Sequence, residues 1–289
     1  MMNPEGPTIL VERNVPWQTI YPVSTRVLAE CFARDGWNVI WLTPPLRLDQ
    51  FARNTRYREG LVAQNRLRGV FMENVFAYTP LTWIPSSRKF PLDRPFLARL
   101  TWQASFPSLR RLLRQRGVPL PDVLWLASFH AGGVRSLFPN RPTVFHVTDA
   151  FRFYPTSPPT CVEMERWNYK AADHIVVTAP ALKRLLIEDL SVAEGKISVI
   201  MHGVDLQRFR GLDHLPDPMP GCPHPRLVAL GNTSKLHFEI LSRLANCSDF
   251  GTVVVIGPKT DRLSAMAEQL PSLRLVGSLL PEQVPQYLL

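Results

Sequence analysis

The sequence predicts an α/β protein in two halves, the second incomplete. Short apolar runs bounded by Gly and Pro alternate with segments of helical spacing from Thr8 to Leu289. A proline-rich stretch over 211–225, with Pro216, Pro218, Pro220, Pro223 and Pro225, separates two such series. Just before it, Ile197 to Phe209 carries an apolar strand pattern into His202-Gly203-Val204-Asp205 and closes the first series. Residues 1–210 are therefore read as an N-terminal domain, 211–225 as a linker and 226–289 as a partial C-terminal domain.

In the first half, Thr8–Glu12 and Trp37–Leu42 read as strands around a helix over Val23–Asp35. In that helix Val23, Val27, Leu28, Cys31 and Phe32 recur at helical spacing, and Gly36 ends the run. The first loop holds no G-x-G-x-x-G, so a dinucleotide fold of that kind is not expected. Asp49–Arg68 reads as basic and irregular, and Gly69–Tyr78 as a strand pair. Phe96–Gln115 reads as an amphipathic basic helix broken at Pro107. Asp122–Leu126, Pro142–Val147, Asp173–Val177 and Ile197–Met201 read as further strands. Between them come a short helix ending at Phe138 and helices over Val162–Ala172 and Pro180–Leu190, the last with proline suited to its first turn. At the join, Gly203 is expected where a side chain would clash or φ is positive, and Asp205 as a turn cap.

In the second half, Arg226–Leu230, Thr252–Ile256 and Leu273–Val276 read as strands. His237–Cys247 and Leu263–Leu270 read as helices, and Pro281 as the start of one more. The sequence stops at Leu289, whereas a complete nucleotide-binding half needs more strands.

Composition narrows the function. Hydrophobic residues at 45% and charged residues at 20% are ordinary for a globular protein. No apolar run is long enough to span a bilayer, and no basic segment followed by an apolar one opens the chain. The four cysteines are isolated, which argues against a metal site or disulfide framework and fits a reducing, cytoplasmic setting. A net charge of +9 favours anionic partners. Leu81–Arg116 interleaves Trp83, Phe90, Phe96, Trp102 and Phe106 with Arg88, Lys89, Arg94, Arg99, Arg110, Arg111, Arg114 and Arg116. Residues 83–116 read either as a surface for anionic lipid headgroups or as a solvated helix packed by its aromatic side. No nucleic-acid recognition motif accompanies the charge, so no nucleic-acid partner is expected.

Several runs together resemble a known class. They are Ala171–Thr178, Ile200–Asp205 closing at Phe209, Arg226–Gly231 before a short turn and helix, Val253–Pro258 and Leu275–Gly277. In order and spacing they look like the GT-B glycosyltransferases, two Rossmann-like domains facing a cleft, over roughly Thr8 to Leu289. Val144–Asp149, Met201–Asp205 and Leu230–Asn232 are similar to bacterial exopolysaccharide transferases of the xanthan glucuronosyltransferase type, with family-4 hexosyltransferases close by. Ser278 departs from the former pattern, which has a carboxylate there. The resemblance implies an inverting, metal-independent transfer from a nucleotide sugar to a lipid-linked saccharide acceptor in polysaccharide biosynthesis. That work is done on the inner face of the membrane, with no cofactor.

On that likeness Asp149, at a strand end, is the candidate catalytic base; its alternative role is to cap the loop before Phe151. Gly231, Asn232, Thr233 and Lys235, between a strand and a helix, suit the donor diphosphate, whose charge a helix N-terminus and basic side chains can meet. His202 and Gly203 would line the cleft floor, and His130 and Thr148 the acceptor side. Glu163 and Glu165 read as a solvated helix face. The competing reading is an inactive, truncated module of the same fold that binds a membrane or an acceptor.

Overall fold

The computed structural model describes residues 2–3, 5–19, 23–48, 56–66, 68–84, 94–154, 157, 160–214 and 216–288, without the side chains of 56–58 and 213. The chain divides into two compact units, Met1–His202 and Gly203–Leu289.

The strands of the first unit are β1 (Thr8–Glu12), β2 (Asn38–Leu42), β3 (Leu46–Arg47), β4 (Val70–Met72), β5 (Val75–Tyr78) and β6 (Leu81–Thr82). They continue with β7 (Ser105–Phe106), β8 (Val123–Leu126), β9 (Thr143–Val147), β10 (His174–Val177) and β11 (Ile197–Val199). Its helices are α1 (Ser24–Arg34), α2 (Arg56–Arg66), α3 (Pro95–Gln103), α4 (Leu109–Gln115), α5 (Cys161–Ala171) and α6 (Pro180–Leu190). Eight strands form one sheet in the order β11-β10-β9-β8-β1-β2-β5-β4, parallel except for β4, which runs antiparallel to β5.

Every residue of β1 is buried, as expected where helices cover both faces of a parallel sheet. Leu10 joins Ile40, Phe76, Leu124 and Phe145 under α4 and α6, which contribute Leu112, Leu113 and Leu186. Ile9 and Val11 join Val39, Trp41, Trp125 and Val176 under α1, which contributes Ala29.

The expected strands lie within two residues of their bounds, whereas β3, β6 and β7 were not expected. Two helical expectations of this half change. Phe96–Gln115 is two helices, because Ser105-Phe106 leaves helical geometry to pair antiparallel with β6. Within 49–68, read as irregular, Arg56–Arg66 is a helix; residues 49–55 lie outside the described ones. Its periodicity is weak, and tertiary contacts hold it. Leu61 and Val62 pack on Leu46, and Asn65 Nδ2 donates to the Thr79 carbonyl at 2.8 Å.

The second unit is a parallel sheet of β12 (Arg226–Leu230), β13 (Thr252–Ile256) and β14 (Leu273–Gly277), in that order. Two helices accompany it, α7 (Phe238–Ala245) and α8 (Asp261–Gln269). Leu241, Ala245, Val253, Val255, Leu263 and Leu273 form its core. Helix α8 starts two residues early because Thr260 Oγ1 caps it, accepting from Leu263 N at 3.3 Å. No α-helix follows Pro281 among the described residues; a 3-10 turn forms at Pro285–Tyr287 instead. Pro285 has no N–H to give the carbonyl of Pro281, so an α-helix cannot propagate through it.

From Asp217 on, the proline-rich run packs against this sheet. Met219 is buried on Val254 and Ile256, and the Pro225 carbonyl accepts from Gly251 N at 2.9 Å. Arg226 grips Asp217 with two bonds of 2.7 Å, which holds that carboxyl down at about 2.

Candidate functional site

The chain runs from β1 outward through β2 to β5, then returns to lay β8, β9, β10 and β11 on the other side. Strand order therefore reverses between β1 and β8. In open α/β sheets ligands bind beyond the carboxyl ends of the strands at such a reversal.

Glu12 and Arg13 stand at the end of β1. The fully buried Glu12 carboxylate accepts from Ser128 N at 3.0 Å, Ala127 N at 3.5 Å and the Ser128 hydroxyl. Burial pushes its carboxyl up to about 7, against the pull of those bonds and of Arg13. Arg13 Nη1 donates to the Ala127 carbonyl at 3.0 Å. On β9, His146 is buried edge-on against Trp125 at 5.4 Å, and its Nδ1 has no partner among the described residues. Burial, with the charges of Arg13 and His202, pushes this imidazole down to about 4, so it is neutral at pH 7.

The loop after β8 is tied at three points. Besides Ser128, the Phe129 carbonyl accepts from Asn168 Nδ2 at 3.0 Å and the His130 carbonyl from Trp102 Nε1 at 3.0 Å. A Cβ at Gly132 would lie 2.3 Å from Asn168 Oδ1, and one at Gly133 2.4 Å from Trp102 Cδ1, so both positions need glycine. The His130 ring stands edge-on to Phe129 at 4.9 Å and is half-buried. Trp102 is thus a core residue rather than part of an aromatic surface.

Asp149 is exposed just past β9. Thr148 Oγ1 donates to it at 3.5 Å, and the Thr148 carbonyl accepts from Thr178 Oγ1 at 3.1 Å. The Tyr154 phenol hydrogen-bonds the Asp149 carboxylate. The 3-10 turn Phe151–Phe153 has Ala150 at its N-cap, with no side-chain cap. Glu165, expected on a solvated face, is buried instead: Arg152 Nε donates to its Oε2 at 2.9 Å. Glu163 is exposed and pairs with Arg94.

His202 is exposed at the end of the first unit. Gly203 opens the second, where a Cβ would meet open space and φ is not positive, so neither expected reason for glycine applies. Asp205 caps as expected, accepting from Gln207 N at 3.1 Å.

At the carboxyl end of β12, Gly231 has φ of 134° and Asn232 Oδ1 accepts from Ser234 N at 3.1 Å. Gly257 abuts this turn; a Cβ there would lie 2.1 Å from the Gly231 carbonyl oxygen. Thr233 is buried and its hydroxyl donates to the Pro258 carbonyl, so it serves the turn itself. Lys235 is exposed. The turn does not open directly onto a helix: a 3-10 turn over Thr233–Lys235 intervenes, and α7 begins at Phe238.

Sequence reading missed Glu12, Arg13, His146 and Tyr154. Only the first two left a local trace, an opposed charge pair closing an apolar strand.

A parallel sheet reversing at β1 and β8, followed by a second parallel βαβ unit, is the architecture of the GT-B glycosyltransferases, and solved structures share it. HepE of Anabaena in complex with UDP superposes with a TM-score of 0.60 at 14% identity, covering 97% of this chain and 71% of that one. A glycosyltransferase from Rickettsia africae gives 0.57 at 15%, covering 98% and 71%. UGT2 of Phytolacca americana gives 0.54 at 14%, covering 96% and 73%. The family model for Glycosyltransferase Family 4 matches residues 22–208, and the chain belongs to that family. No curated protein sequence matches it.

Proposed function

We propose that this glycosyltransferase moves a hexosyl or glycuronosyl unit from a nucleoside-diphosphate sugar to a lipid-linked saccharide in bacterial polysaccharide synthesis, without a metal or cofactor. The observation that carries the reading is Asp149, an exposed carboxylate one strand from the β1/β8 reversal. In an inverting transfer Asp149 takes the proton of the acceptor hydroxyl as its oxygen bonds the anomeric carbon. The bond from that carbon to the diphosphate breaks, and the nucleoside diphosphate leaves.

HepE has been solved with UDP and with UDP and glucose, which supports a nucleotide-sugar donor here. Gly231, Asn232 and Lys235 are the residues we assign to its diphosphate, with His202 and Gly203 beside it and His130 and Thr148 toward the acceptor. Thr233 keeps a structural part.

A peripheral position on the inner face of an anionic membrane belongs to the same reading. Trp83, Phe96 and Phe106 are 77%, 67% and 66% exposed, and Arg99, Arg110, Arg111 and Arg114 are exposed too. Arg88, Lys89 and Phe90 lie outside the described residues. Among the described residues no helix is long and apolar enough to cross a membrane.

Calorimetry with a panel of uridine and guanosine diphosphate sugars, followed by transfer to membrane extracts, tests the reading. One donor should bind, and Asp149→Asn should bind it equally while transfer falls roughly 10²- to 10⁴-fold with melting unchanged. Binding of no donor overturns the transferase reading and favours an acceptor- or membrane-binding module. Full transfer by Asp149→Asn removes the base.

A further inference from the structure

We propose that Tyr154 is a positioning residue for Asp149, its phenol orienting the carboxylate for proton removal from a braced loop. The proposal rests on reading Asp149 as the base. An exposed carboxylate held only by Thr148 Oγ1 at 3.5 Å would be free to rotate. The Tyr154 hydroxyl engages it as well, and a carboxylate with two such donors still has lone pairs free for an acceptor hydroxyl.

Every residue between them is held. Phe153 N donates to the Ala150 carbonyl and Tyr154 N to the Phe151 carbonyl, each at 3.1 Å. The Tyr154 ring stands edge-on to Phe151 at 5.9 Å, and Ser157 N donates to the Tyr154 carbonyl at 2.9 Å. In the middle, the Arg152 guanidinium bonds Glu165 of α5 at 2.9 Å and Asp189 of α6 at 3.3 Å. The Arg152 and Glu165 side chains are only 9% and 5% exposed, so pulling this anchor out would strand a buried charge. A loop tethered at its centre to two helices cannot swing, and that fixes where the phenol sits.

Two charged groups face the phenol: Asp149 and, from the end of β1, Arg13. Burial, then the charge and hydrogen bond of Asp149, push the Tyr154 phenol up, while Arg13 pulls it down. The phenol therefore stays protonated and donates throughout the working range.

Wild type, Tyr154→Phe and Asp149→Asn, labelled with carbon-13 at tyrosine Cζ, are titrated by NMR. The Tyr154 signal, identified by its loss in Tyr154→Phe, should titrate above free tyrosine in wild type and move down in Asp149→Asn. In the transfer assay Tyr154→Phe should lower kcat roughly 10- to 100-fold, the worth of a hydrogen bond to a charged group, with donor KM unchanged. A Tyr154 titration unmoved in Asp149→Asn overturns the proposal, as does an active Tyr154→Phe with unchanged kcat. If wild type transfers no sugar, the transferase reading fails, and the NMR arm still decides whether phenol and carboxylate are coupled.

Discussion

Glu12 and His146 are both taken out of water near the carboxyl ends of neighbouring strands, and burial moves them in opposite directions. The Glu12 carboxyl keeps its proton up to about 7 in the native state, whereas the unfolded chain gives it up near 4.5. The native state then binds more protons, so this contribution is complete below 4.5 and is lost as pH rises through 7. The His146 imidazole stays neutral down to about 4, while unfolded histidine takes a proton near 6.5. Its contribution is complete above 6.5 and is lost as pH falls through 4. Over most of this range the two slopes oppose one another in wild type. Replacing one exposes the other: Glu12→Gln should gain stability with rising pH from 4 to 6.5, and His146→Gln should lose it from 4.5 to 7. Melting followed by circular dichroism at stepped pH reads both, and a Glu12→Gln profile parallel to wild type would mean that Glu12 is not held protonated.

The loop after β8 depends on close approach. α3 lies so near the 3-10 turn Ala131–Ser136 that a methyl at Gly133 would meet both Trp102 and the Ala98 carbonyl, at 2.4 and 2.5 Å. Backbone cannot yield cheaply, so Gly133→Ala should cost about 1–3 kcal/mol. Gly203 faces open space, and Gly203→Ala should stay within about 0.5 kcal/mol of wild type. Urea titration of the two variants separates them. Equal stabilities would show that the approach of α3 relaxes, and with it the bond from Trp102 that steadies the His130 backbone. The sequence sets Gly132-Gly133 beside a histidine but does not show why, since the reason lies on α3 and α5, the helices of Trp102 and Asn168.

For the molecule as a whole, the proposed membrane surface rests on the charge of +9 and the exposed Trp83, Phe96 and Phe106, and it can be tested directly. Arginines near an anionic surface contribute roughly 1 kcal/mol each, so Arg110, Arg111 and Arg114 all changed to Glu should weaken flotation with phosphatidylserine vesicles more than ~100-fold. Added salt should weaken wild type as well. Equal flotation of both proteins would rule this surface out. The α/β class, the strands of the two parallel sheets and the place of Asp149 after β9 were legible in the chain, because strands buried on both faces of a parallel sheet read as continuous apolar runs; the short β3, β6 and β7 were not. Burial of individual polar groups was not legible. Glu165 looked solvated until α5 met Arg152, Trp102 stayed open between surface and packed until α3 met the β8 loop, and Glu12 finds Ser128 across 116 residues. Periodicity is a local property and survives in sequence. The reversal of strand order at β1 and β8, and the charge state of what lies beyond it, come from neighbours far apart in the chain, and only the packed sheet brings them together.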